Sequence, residues 1–142
     1  MITERAMLRA LKTKIETGNL FREVRILGNE VISPRLLNEL PELTLFPACL
    51  LAAGDVATEN NGCTTRTPIE VVVISSCYGG DADLDAADEV LAQTMSLLKC
   101  DLYSEVLSID GVYYVFEQRE RLHFNPQHVA WKLRLTAKTL NI

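Results

Sequence analysis

The residues best placed to do chemistry stand at one corner, Gly79-Gly80-Asp81-Ala82-Asp83-Leu84-Asp85. A glycine-rich turn entering a helix cradles phosphate when Lys and Ser or Thr follow, because backbone amides and an ammonium converge on the anion. Here carboxylates follow, and they repel a phosphate. Asp81, Asp83 and Asp85 occupy positions one, three and five of a calcium loop, but Ala86 replaces the turn glycine and Ala92 the bidentate glutamate. Asp85 and Asp88 form a carboxylate pair on one helix turn, with no neighbouring His or Lys to complete an acid–base set. What remains is structural. Asp81 or Asp83 caps a helix, and the acids complement the positive end of its dipole.

Other reactive side chains are scattered. His123 and His128, the only histidines, are five apart across an Asn-Pro turn, not at the i, i+4 helical spacing of zinc enzymes. Ser75-Ser76 ends a strand without a sequence-evident base. Glu117, Arg119, Glu120 and Arg121 read as exposed ion pairs at a strand end, and Tyr113, Tyr114, Phe116 and Trp131 as core and interface. Cys49, Cys63, Cys77 and Cys100 have no C-x-x-C pairing, which predicts free thiols with Cys63 in a polar loop. No catalytic residue, cofactor or metal is expected.

The elements that would position these residues follow from periodicity. Ile69 to Ile74 is a β-branched run broken only by Glu70, the pattern of a central strand. After Gly79-Gly80, the residues Leu84, Ala87, Leu91, Thr94 and Leu98 make one apolar stripe of a helix. Thr3 opens an earlier helix to about Glu16, with Met7, Leu8, Leu11 and Ile15 inward and Gly18-Asn19 as its stop. Phe21 to Leu27 predicts a short strand, Ser33-Pro34 a short helix through Leu40, and Leu45 to Ala53 a strand that Pro47 marks as edge, bulge or late start. Gly54 to Thr65 predicts a long polar loop. Asp110-Gly111 predicts a hairpin between Glu105–Ile109 and Val112–Gln118. From His128 to Lys138, apolar Val129, Trp131, Leu133, Leu135 and Ala137 alternate with polar residues, so one face is core and the other is not fully covered by helices.

The 142 residues fit a single domain, which at this size buries roughly two-thirds of its unfolded surface. The order of elements predicts an α+β fold: a single mostly antiparallel β-sheet with two main helices packed on one face. A net charge of −5 argues against nonspecific binding to nucleic acid or anionic membrane. No apolar run reaches the roughly 20 residues that span a bilayer. The charged first helix is no signal peptide, so cytoplasmic synthesis is expected.

Taken in order, the first helix, the F-P-A-C-L-L strand, the polar loop, R-T-P-I-E-V-V-V-I-S-S-C-Y with its D-A-D-L-D-A-A-D-E-V-L helix, the hairpin and W-K-L-R-L-T resemble a phage tail terminator. The likeness covers most of the chain and rests on element order and hydrophobic pattern. It implies a structural virion protein, made in the host cytoplasm, that forms a homohexameric ring. Such a ring caps the tail tube protein, ends its polymerisation and presents a surface to the head–tail connector protein. DNA passes through without specific binding. The family's mobile loop matches Gly54 to Thr65 in position. Asn60, Asn61, Gly62, Arg66, Arg119, Glu120, Arg121, Lys132 and Arg134 are the candidate subunit or tail-interface residues. The alternatives are a small prophage-encoded enzyme using Asp81, Asp83 and the cysteines, or another connector or adaptor protein.

Overall fold

A computed structural model describes residues 3–28, 34–39, 45–59, 62–100, 105–123 and 126–140. Their order is α1 (Glu4–Glu16), β1 (Glu23–Ile26), α2 (Pro34–Glu39), β2 (Ala48–Ala53), β3 (Ala57–Glu59), β4 (Thr64–Ser76), α3 (Asp81–Leu97), β5 (Leu107–Ile109), β6 (Val112–Leu122) and β7 (His128–Leu140). The seven strands form one curled half-barrel sheet ordered β1-β2-β4-β7-β6-β5, with β3 added beside β4. Every pairing is antiparallel except β1 with β2. That parallel pair needs a crossover, and α2 lies within it. The α+β architecture expected from the sequence is therefore present, with α1 and α3 on one face.

Strand alternation divides the core. Cys49 and Leu51 of β2, Ile69 and Val71 of β4, and Val129, Trp131, Leu133, Leu135 and Ala137 of β7 meet the buried stripes of α1 and α3. The opposite parity, Leu50, Val72, Ile74 and Ala130, packs with Leu27 and with Leu37 of α2. Near the middle of that second face the apolar residues give way to Glu70, Lys132 and Arg134. Tyr114 locks the hairpin to α1, its phenol donating to the Met7 carbonyl at 3.3 Å.

Local rules account for most element ends. The Thr3 hydroxyl accepts from the Ala6 amide at 3.1 Å, and Asn19, at φ 51°, lies in the left-handed region just past α1. Asp110 and Gly111 both have positive φ, as a two-residue hairpin turn requires. Several expected boundaries move. β1 is shorter than Phe21 to Leu27. β2 starts only at Ala48, after Pro47, while β6 runs on to Leu122 and β7 to Leu140. The predicted polar loop is half strand: Ala57–Glu59 pairs with Thr64–Arg66, and β4 begins five residues before the β-branched run. Pro68 sits inside β4 because its side of the strand is a gap. β2 has ended at Ala53, β3 has not begun, and only the Gly54 amide reaches the Pro68 carbonyl, at 2.8 Å. Ser33, Leu40, Asn29, Asn60, Asn61 and Asn125, used in the sequence reading of turns and ends, lie outside the described residues.

Candidate functional site

The acidic corner proves to be a backbone clamp. Gly80, at φ 73°, is the N-cap of α3, and no side chain caps it. Asp83 instead turns its Oδ2 backwards, accepting from the amides of Tyr78 at 2.9 Å and Gly79 at 2.5 Å. The expected cap by Asp81 or Asp83 is thus replaced by a carboxylate that fixes the strand-to-helix turn before the helix starts. Gly79 belongs to this arrangement: a Cβ there would stand 3.1 Å from the same Oδ2. Leu84 is corrected too. It lies just beyond the clamp and is 37% exposed, whereas Ala87, Leu91, Thr94 and Leu98 are buried as expected.

Beside this corner is an open cavity of about 590 Å³, walled in part by Cys77, Leu84, Arg121, His123, Pro126 and His128. Strand pairing brings them together. His128 is level with Ser76, Leu122 with Ala130, and the Cys77 amide donates to the Gln127 carbonyl at 2.7 Å. The His128 ring lies between Phe46, with centroids 4.7 Å apart, and the edge of Tyr78 at 6.1 Å. Burial pulls its pKa below the ordinary imidazole value, because desolvation disfavours the charged ring. Among the described residues no group of three or more His, Cys, Asp or Glu is placed to hold a metal. The Asp83 carboxylate beside this cavity is already committed to the backbone.

The candidate interface residues fall into three places. Gly62 lies at the exposed tip of the β3–β4 hairpin, and Arg66 is exposed four residues further on. Arg119 and Arg121 lie on the helix side of β6, paired with Leu133 and Trp131. Glu120, Lys132 and Arg134 lie on the other face, where Lys132 Nζ and Arg134 Nη2 approach Glu70 Oε1 at 3.7 and 3.9 Å. Asn60 and Asn61 are outside the described residues. The ion pairs expected within Glu117–Arg121 are not what the side chains make among the described residues. Arg121 stacks over Trp131 at 5.3 Å, and Arg119 Nη1 reaches Met95 Sδ at 3.8 Å. Cross-strand pairing sends these arginines toward α3 and not toward Glu120.

None of the four cysteines is in a disulfide; Cys63 is exposed, and Cys49 and Cys100 are buried. Burial pushes the Cys49 thiol well above its ordinary pKa, which makes it inert. Burial, helped by the charge of Asp110, pushes Tyr114 up to about 12. At Glu23 burial acts upward, but the Leu45 amide and the Arg25 guanidinium outweigh it and hold the carboxyl below the usual range. No protein-family model and no curated protein matches this chain. Sequence reasoning missed the gathering of Cys77, His123 and His128. The only available signal was the antiparallel return of the last two strands, which places the end of β6 and the start of β7 near the end of the central strand.

Proposed function

We propose that the chain is a structural subunit of a phage tail, forming a six-membered ring that caps the tail tube and stops its growth. The observation that supports this best is an arm. Thr64–Arg66 of β4 is flanked by β3 on one side and by Lys138–Leu140 of β7 on the other. Neither β2 nor most of β6 reaches that far, since β2 ends opposite Ile69 and β6 begins opposite Lys138. A short three-stranded arm therefore extends the sheet, with Gly62 and Cys63 exposed at its tip and Arg66 exposed at its base, opposite Ala57. It occupies the position of the loop that the resemblance to tail terminators marks as ordering on assembly. An arm of this kind lets one subunit reach another while its own core stays rigid. Glu70, Lys132 and Arg134 give a second, charged contact surface, and the overall acidity disfavours a grip on passing DNA.

Capping is tested by adding the protein to polymerising tail-tube subunits and measuring tube lengths in electron micrographs. The expected result is short tubes of uniform length, each closed at one end. A bulky maleimide attached to Cys63 in a Cys77→Ser background should leave the monomer folded and abolish capping. Tubes that lengthen regardless of the protein, or capping untouched by the label, contradict the proposal.

A further inference from the structure

β6 is covered unequally along its length. β7 pairs with it almost throughout, but β5 reaches only Val112–Tyr114 on the other edge. From Val115 to Leu122 that outer edge has no strand partner among the described residues. The irregularity between Phe116 and Gln118 separates the two halves, and the free half runs regularly from Gln118 to Leu122. A free edge is a row of backbone donors and acceptors ready to take another strand.

The side chains define what that strand must be. On the helix side, Arg119 and Arg121 border an open groove of about 420 Å³ between α3 and the sheet, with Leu91, Met95 and Trp131 as its apolar lining and Asp88 on the α3 wall. Neither guanidinium has a carboxylate within ion-pair distance among the described residues; they rest on Met95 and Trp131 instead. Two adjacent cations on one face of an otherwise acidic chain call for carboxylates at alternate positions of the incoming strand. On the other face Glu120 is level with Lys132, and Leu122 packs into the second core cluster, so uncharged apolar side chains fit there.

A second copy of β6 meets this requirement only through Glu117, which stands at the irregularity between Phe116 and Gln118 and outside the regular half of the edge. Antiparallel self-pairing about a two-fold axis keeps each side chain on its own face. Registers centred on Arg119, Glu120 or Arg121 then set that residue against itself, which places like charges directly opposite. The β1 edge of a second copy is four residues long and offers Val24 and Ile26 to the helix side, with no carboxylate there. We infer that the free edge of β6 takes an extended segment of a different protein, one that alternates acidic and apolar residues, adds as a strand along Gln118–Leu122 and pairs its acids with Arg119 and Arg121. This site stands independently of the tail-capping proposal.

The probe is a synthetic peptide of about eight residues alternating glutamate and valine. Trp131, the only tryptophan and the ring under Arg121, supplies the fluorescence signal. Amide hydrogen exchange locates the bound peptide. The expected result is a saturable change in Trp131 emission with new protection at Gln118–Leu122, and no binding by the same peptide with lysine in place of glutamate. Arg119→Glu with Arg121→Glu should weaken binding at least about tenfold, while Arg119→Lys with Arg121→Lys retains most of it and shows that loss does not come from unfolding. Absence of binding at millimolar peptide, equal binding of the lysine peptide, protection elsewhere, or β6 amides already protected in a self-associated protein each overturn the inference.

Discussion

Replacing Leu91 and Leu133 by alanine, one at a time, separates the two walls of the helix-side core. Each substitution removes about three methyl or methylene groups, a transfer loss of roughly 2.4 kcal/mol at about 0.8 kcal/mol per group. What is added depends on whether the site can close over the cavity. Leu133 is fully buried in β7, between β4 and β6, and regular pairing on both sides prevents collapse. Its cavity therefore adds about 1–2 kcal/mol, for a total near 4 kcal/mol. Leu91 is also buried, but it borders the open groove beside Met95, whose flexible thioether can swing into the space. Leu91→Ala should cost about 2–3 kcal/mol, close to the transfer loss alone. Urea melts with an unchanged slope measure both losses. Equal losses, or a larger one at Leu91, would refute the placement of Leu91 at the groove. A loss there below about 1 kcal/mol would mean that α3 does not pack by this stripe.

The clamp at the corner gives a second expectation. Asp83→Ala leaves the Tyr78 and Gly79 amides without their acceptor and should cost about 1–2 kcal/mol in a urea melt, with Asp83→Asn recovering part of it. Tyr114→Phe deletes one long hydrogen bond to a helix carbonyl and should cost no more than about 1 kcal/mol, read as a shift in thermal midpoint. Because the folded pKa of His128 lies below its unfolded value of 6.5, the folded state binds fewer protons. Its contribution is complete above pH 6.5 and falls as pH drops through 6.5 toward the folded value, so stability rises with pH across that window. Unfolding midpoints measured from pH 5 to 7.5 should show this slope, and His128→Gln should flatten it. Glu23 adds a separate acid limb: its depressed pKa stabilises the fold above the ordinary 4.5, and this is lost as pH falls through the folded value. Glu23→Gln should remove that limb and leave the His128 slope intact.

Much of the fold was legible because its signals are local. The β-branched run from Ile69, the α1 stripe of Met7, Leu8, Leu11 and Ile15, Asp110-Gly111, and the alternation through Trp131 each depend on residues near one another in the chain. Non-local features were not legible. Ala57–Glu59 carries no strand pattern and becomes β3 only because β4 extends past β2 and offers it an edge. Leu84 has helical spacing but stands in the first turn of α3, partly exposed and lining the open cavity beside Cys77 and His128. Arg119 and Arg121 resemble members of a charged cluster when read in line. The irregularity after Phe116 and the pairing with Leu133 and Trp131 turn them instead to the helix side. The candidate site was therefore named in pieces, and its division into an arm tip, a charged face and an arginine-bordered edge is a product of strand register.

Mass by light scattering over a concentration series, with and without tail-tube subunits and with negative-stain images of the same samples, tests ring formation most directly. The proposal predicts closed six-fold rings, either free in solution or seated on tube ends. A protein that stays monomeric in both conditions, with tube ends bare, would contradict it.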